Sequence, residues 1–221
     1  MTHTQTESGD HAALMDQTYR YQRLFYDLTR RYYLLGRDHL ISRLDPPRHG
    51  KVLEVACGTG RNMALTAKRY PECLVCGLDI SSEMLRSAGA KMSSNGLSGR
   101  TKLAEADACT FDPAISFGVE KFDRIILSYS ISMIPDWQKS LRQAVQCLAP
   151  RGELHVVDFG TQDRLPSWFK GTLRAWLDRF HVTPRDGFKA TLETLASDTA
   201  ATCEWRPLYR DYAQYGVLKA R

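Results

Sequence analysis

A chain of 221 residues is long enough to bury one substantial core, and 43% hydrophobic with 25% charged residues is ordinary for a folded domain. The formal net charge of +5 favours an anionic partner, whether a membrane surface, a phosphorylated substrate or nucleic acid, without choosing among them. No apolar run approaches the ~20 residues of a spanning helix, no solenoid repeat is visible, and the polar start MTHTQTESGDH shows no signal peptide.

Residues 1–10 read as a disordered tail, 11–46 as an N-terminal helical cap, and 47–221 as one further domain. The helical pattern of the cap runs from about Ala12 to Leu44, where DPPRHG ends it. Tyr19, Tyr26 and Tyr33 are spaced by seven, as are Arg23, Arg30 and Arg37. On a continuous helix all six fall within an arc of roughly 80°. A plain solvated face carries Glu and Lys more often than repeated Tyr. Such a stripe could close over a cofactor, grip a carboxylate or phosphate, or sit at a lipid headgroup layer.

Beyond the cap, strands and helices alternate. KVLEVAC is a short apolar strand that runs into GTGRN, which opens a helix through about Arg69. CLVCGLDI is a second strand, and SSEMLRSAGAKMSS a second helix with Ser81 or Ser82 as its cap. TKLAEAD, FDRIILSYS and ELHVVDF follow as strands, the middle one so apolar that both its faces must be buried. DWQKSLRQAVQCL is the helix before the last of these. A Trp-rich stretch at 164–180, a helix near 188–198, and a closing hairpin of CEWRPLY and AQYGVLKA complete the chain. This alternation predicts an α/β fold with a doubly wound, mostly parallel sheet. The six cysteines fall mostly in these strands and helices; Cys73-x-x-Cys76 has no second pair or nearby His, so buried thiols in a reducing, cytosolic setting are expected, and no metal.

The chemistry is carried by VLEVACGTGR, an apolar strand ending in a G-x-G turn where backbone can approach a ligand closely. Asp79 ends the next strand, where an open α/β sheet presents a carboxylate to ribose hydroxyls. The dinucleotide fingerprint G-x-G-x-x-G fails, because Met63 occupies the third glycine position. The chain instead resembles class I S-adenosylmethionine-dependent methyltransferases, with LEVACGTG, GLDIS, AEADA and FDRIILSYSI as their first four motifs and CLAPRGELHVVDF as their turn into strand five. One departure is Ala56, where that family usually has its first glycine.

The resemblance implies a seven-stranded, Rossmann-like sheet and S-adenosylmethionine as cofactor. Glu54, Ala56, Gly58 and Gly60 would surround its methionine part, and Asp79 would hold the ribose, with Ile80 and Met84 near the adenine. Asp107 would accept from the adenine amino group, with Ala106 and Ala108 beside it. Ser128 and Tyr129 would flank the reacting sulfonium. For an amine acceptor, the candidates for receiving a proton are Tyr129, His155 and Asp158, although His155 reads first as a core residue.

Two segments speak to the acceptor. In LPSWFKGTLRAWLDRF, the residues Phe169, Leu173, Trp176, Leu177 and Phe180 share one helical face, which suits either a lid packed on its own core or an interfacial helix. The stretch MDQTYRYQRLFYDLTRRYYLLGRDHLI, followed by VLEVACGTGRN and later HVTPRDG, resembles the N-methyltransferase family of betaine-lipid synthesis. That resemblance implies three methyl transfers to the amine of diacylglycerylhomoserine at the cytoplasmic face of a membrane. Tyr26, Tyr33 and Arg37 would then close over the cofactor, while Arg30, Tyr129 and Asp158 meet the substrate. The rival is a methyltransferase of another amphiphile, a quinone precursor or phosphatidylethanolamine. Nucleic-acid binding is not expected: the arginines alternate with aromatics on one stripe, and no basic run exists elsewhere.

Overall fold

The structure, a computed structural model, describes residues 33–221. The chain divides between Leu35 and Gly36, and the unit from Gly36 to Arg221 carries every element named below. In chain order these are α1 (Arg37–Arg43), β1 (Lys51–Val55), α2 (Arg61–Arg69), β2 (Leu74–Asp79), α3 (Ser82–Ser94), β3 (Thr101–Glu105), α4 (Pro113–Phe117), β4 (Phe122–Ser128), α5 (Trp137–Gln146), β5 (Leu148–Phe159), α6 (Ser167–Asp178), α7 (Phe188–Asp198), β6 (Thr202–Leu208) and β7 (Ala213–Lys219).

The expected helix through Leu44 is interrupted. Gly36 adopts φ 88, and α1 starts only after it. A left-handed residue breaks the helical repeat, and of the six stripe residues α1 holds only Arg37. Tyr19, Arg23, Tyr26 and Arg30 lie outside the described residues.

The seven strands form one sheet in the order β3-β2-β1-β4-β5-β7-β6. β1 to β5 pair in parallel, whereas β7 runs antiparallel to both β5 and β6. The closing hairpin is therefore as expected, and the β6–β7 turn lies at the edge where β1, β4 and β5 end.

Alternation along the strands separates two faces. One carries Leu53, Val55, Ile125, Leu127, Leu154, Val156 and Leu218 and forms the main core with Leu141 and Ala144 of α5 and Phe188 and Leu192 of α7. Each such side chain contributes roughly 1.5–3 kcal/mol by leaving water. The other carries Glu54, Arg124, Ser128, Glu153, His155 and Tyr215. On it lies α1, held where Arg124 Nε donates to the Leu44 carbonyl, the Arg124 NH2 group to the Asp45 carbonyl, and the Tyr70 hydroxyl to the Ile41 carbonyl. No helix among the described residues is long and apolar enough to cross a membrane.

Candidate active site

The turn after β1 is built almost wholly from main chain. Ala56 takes φ 54, a left-handed conformation that costs an alanine roughly 1–2 kcal/mol. The Cys57 amide donates to the Leu78 carbonyl (2.9 Å), and the Gly60 amide returns to the Cys57 carbonyl (3.0 Å). The two glycines have different tasks. A Cβ on Gly58 (φ 54) would meet nothing within 4 Å, so this position opens onto free space. A Cβ on Gly60 (φ 71) would come 2.9 Å from Ala88 Cβ and 3.2 Å from Ala88 Cα. Gly60 therefore serves the packing of α2 against α3, whatever its backbone offers a ligand. The Met63 side chain fills the space that Gly77 of β2 leaves, and a Cβ at Gly77 would collide with it.

Asp79 pins this turn from the next strand. Its Oδ2 accepts from the Gly58 amide (2.8 Å) and its Oδ1 from the Ser81 amide (3.0 Å). Ile80 follows, 74% exposed. Ser81 caps α3 by accepting from the amide of half-buried Met84 (3.4 Å). Across the edge, the exposed Asp107 accepts from the Cys109 amide (2.8 Å). Ala106 donates its amide to the Asp79 carbonyl (3.1 Å), and Ala108 joins the core.

Glu54 is the most perturbed carboxyl of this half. Its Oε1 accepts from Asn62 Nδ2 (2.8 Å), a partner the sequence motif did not single out. Its Oε2 is buried with no hydrogen-bond partner. Burial raises its pKa to about 7, with the Asn62 hydrogen bond and the Arg37 charge pulling the other way. A buried oxygen lacking a donor, beside an open glycine turn, fits the ammonium group of an amino-acid moiety. The donor set thus fits S-adenosylmethionine: Glu54 for the ammonium, Gly58 for close approach, Asp79 for the ribose.

At the end of β4, Tyr129 takes φ 54, its amide donates to the Val157 carbonyl (2.8 Å), and its ring meets Phe159 edge-on at 4.8 Å. Burial, first, and the nearby Asp158 charge hold its phenol well above the usual range, so it stays protonated at neutral pH. Ser128 Oγ is buried and without a hydrogen-bond partner. Arg37, the first residue of α1, is buried, and its charge acts on both Glu54 and Tyr129.

Two expected proton acceptors are occupied elsewhere. His155 sits inside β5, paired with Ile126 and Val217, short of the strand's end. Its Nδ1 is hydrogen-bonded to the Tyr215 hydroxyl (2.7 Å) and its Nε2 to Glu153 Oε2 (3.0 Å). Burial lowers its pKa, so the neutral ring donates from Nε2 and accepts at Nδ1. Asp158 is fully buried: Oδ1 accepts from the Phe159 amide (2.7 Å) and Oδ2 from the Ser132 amide (3.1 Å). Burial raises it to about 6. It ties the loop after β4 to β5.

The rings beside the end of β4 form no contiguous motif in the sequence. From Tyr129 and Phe159 the rings continue to Tyr212 (6.0 Å) and on to Phe169 of α6 (6.5 Å). Tyr212 closes a turn in which Tyr209, Arg210 and Asp211 are all left-handed, with φ 53, 58 and 66. The Gln162 amide donates to the Asp211 carbonyl (2.9 Å) and the Gly160 amide to the Tyr212 carbonyl (3.0 Å), which holds this turn against the end of β5. Among the described residues no group of His, Cys, Asp and Glu could hold a metal ion, and all six cysteines are unpaired.

Comparison with known proteins agrees with this geometry. A methyltransferase-domain family matches residues 52–152. Demethylmenaquinone methyltransferase of Bacteroides fragilis is 33% identical over 131 residues, 59% of this chain and 51% of that protein. Phosphatidylethanolamine N-methyltransferase of Cereibacter sphaeroides is 31% identical over 119 residues, 54% of this chain and 55% of that one. The chain thus spans about half the length of these two relatives. Trans-aconitate 2-methyltransferase of Streptomyces avermitilis is 33% identical over 195 residues, 80% of this chain and 70% of that protein. Among solved structures, an O-methyltransferase family protein from Burkholderia thailandensis shares the fold with a TM-score of 0.73 at 17% identity, covering 91% of this chain and 60% of that one. With the strand order, the glycine turn and the carboxylates of β1 and β2 in place, the chain belongs to the class I S-adenosylmethionine-dependent methyltransferases.

Proposed function

We propose that this methyltransferase trimethylates the homoserine amine of diacylglycerylhomoserine, yielding the betaine lipid diacylglyceryl-N,N,N-trimethylhomoserine, as a peripheral enzyme on the cytoplasmic face of a membrane. The observation that carries the reading is the run of rings from Tyr129 through Phe159 and Tyr212 to Phe169. Tyr129, Phe159 and Tyr212 are buried, so the ring stack makes the end of β4 apolar up to a surface helix, which suits an acceptor with acyl chains. Relatives named for phosphatidylethanolamine and demethylmenaquinone support an amphiphilic acceptor. The N-terminal resemblance supplies the homoserine headgroup.

S-adenosylmethionine brings a methyl group on a sulfonium, ready for in-line displacement by the acceptor nitrogen. The protein's part is alignment and exclusion of water. Glu54 would hold the cofactor's ammonium, Arg37 its carboxylate and Asp79 its ribose hydroxyls. Ser128 and Tyr129 would flank the sulfonium that the nitrogen attacks. Because Tyr129 keeps its proton, and His155 and Asp158 are engaged inside the fold, the amine sheds its proton to solvent before each attack. The third transfer leaves a quaternary nitrogen with no proton to lose.

The test offers diacylglycerylhomoserine, phosphatidylethanolamine and a demethylmenaquinone together, with S-adenosylmethionine, and follows each lipid by mass. Successive gains of one, two and three methyl groups on the homoserine lipid are expected. Methylation of either rival in its place would sink the headgroup assignment while keeping an amphiphilic acceptor.

A further inference from the structure

We infer that the outward face of α6, led by Trp168, is the surface by which the enzyme docks on an anionic bilayer. The inference deepens the lipid-acceptor reading and rests on it only for the identity of what is then methylated.

The inner side of α6 is fastened to the sheet's end. Arg174 donates from Nε to Gln162 Oε1 (3.0 Å), grips both carboxylate oxygens of Asp186 (2.7 and 3.0 Å) and reaches the Thr161 carbonyl (3.2 Å). Leu177 is buried beneath the same helix. At 100° per residue, the side opposite Leu177 carries Trp168, Thr172, Ala175 and Arg179, all of them exposed. Trp168 is 71% exposed although it is the largest side-chain type. Its ring meets that of Phe169, the last of the packed rings, edge-on at 5.8 Å. Phe180 follows the helix, 39% exposed.

Charge selects the occupant. From Asp163 to Phe180 the segment holds Arg164, Lys170, Arg174 and Arg179 against Asp163 and Asp178, a net of +2 by four minus two. Lys170 is paired with Asp163 (2.6 Å) and Arg174 with Asp186, whereas Arg164 and Arg179 are exposed and make no ion pair among the described residues. An exposed Trp flanked by unpaired arginines on a short helix is what an interfacial segment needs: the indole enters the headgroup–acyl boundary while the guanidinium groups stay with lipid phosphates.

The experiment is co-flotation of the full chain with phosphatidylcholine vesicles, with and without 30% (about one lipid in three) phosphatidylglycerol. Binding is expected to the anionic vesicles and to fall steeply as salt rises. Trp168→Glu, and separately the pair Arg164→Glu with Arg179→Glu, are each expected to lower the bound fraction by about tenfold. Melting temperature and S-adenosylhomocysteine affinity should stay at wild-type values, since none of these side chains is part of the core or the cofactor half. The inference is overturned if wild type ignores anionic vesicles, or if both variants float as wild type does. Wild-type methylation of detergent-dispersed diacylglycerylhomoserine is measured in parallel. Turnover without vesicle binding removes the docking face alone, and vesicle binding without turnover removes the substrate alone.

Discussion

At the ends of β1 and β2 the site is made of main chain and carboxylates: left-handed Ala56, Gly58 and Gly60, with Asp79 pinning two amides and Glu54 holding one bare oxygen. At the ends of β4, β5 and the β6–β7 turn it is made of rings, and its left-handed residues are Tyr129, Tyr209, Arg210 and Asp211 rather than glycines. The first half holds a ligand common to a whole family, and short-range geometry suffices. The second, where we place the acceptor, draws on β4, β5, α6 and the β6–β7 turn. Non-glycine residues held left-handed cost about 1–3 kcal/mol each, and such strain persists only where the surroundings enforce it.

The largest expected effect tests the first half. Asp79→Ala removes the carboxylate that orients Gly58 and Ser81 as well as the proposed ribose contact. Two charge-assisted hydrogen bonds at about 1.5–3 kcal/mol each put the loss of S-adenosylhomocysteine affinity at a hundredfold or more. Wild-type affinity by calorimetry in this variant would remove the assignment.

Glu54 gives a pH signature. Its folded pKa, about 7, lies above the model-peptide value of 4.5, so the native state holds a proton that the unfolded chain releases. Stability should therefore fall as pH rises from about 4.5 to 7 and level off above, by at most about 3 kcal/mol. Glu54→Gln should flatten that slope in urea titrations. Ligand affinity should show the opposite trend, weakening as pH drops below 7, because only the ionised carboxylate favours an ammonium. A variant with an unchanged stability slope would show that Glu54 is not the group responsible.

The glycine pair separates packing from ligand approach. Gly60→Ala should cost about 2 kcal/mol or more of stability through its contact with Ala88 and its left-handed backbone. Gly58→Ala should cost about 1 kcal/mol of stability yet weaken the cofactor product more than Gly60→Ala does. The reverse ranking would exchange their roles. In the acceptor half, Tyr212→Ala should raise the KM for lipid by about tenfold, the worth of one buried ring contact and its area, while S-adenosylhomocysteine affinity holds. The smallest effect belongs to Ala56→Gly. Relief of φ 54 is offset by the greater freedom of glycine in the unfolded chain, which leaves a gain below about 1 kcal/mol.

The two halves also differ in how far the sequence reveals them. The β1 turn, Asp79 and the cap at Ser81 lie in contiguous motifs whose spacing follows from one strand, one turn and one helix, so they are read directly. The hairpin is equally visible from its alternation. α4 is too short to show an apolar period, and only Asp112, which accepts from the Ala114 and Ile115 amides (2.8 and 3.0 Å), and Pro113 announce it. The continuous N-terminal helix failed at Gly36, a residue whose left-handed conformation only its neighbours decide: a Cβ there would meet Val157 and Leu208 at 3.0 and 3.1 Å. The surroundings of His155 and Asp158 are hidden in the sequence for the same reason, since their partners Tyr215 and Ser132 come from other segments. The ring stack is the extreme case, visible only once β7 and α6 stand beside β5.

The most direct measurement compares initial methylation rates on diacylglycerylhomoserine and on glycerylhomoserine without acyl chains, both dispersed in the same detergent. If the rings from Tyr129 to Phe169 guide the acceptor, the diacyl lipid is methylated and the chain-free headgroup is turned over at least about a hundredfold more slowly in kcat/KM. Equal rates on the two would contradict the account, because the acceptor half would then recognise the headgroup alone.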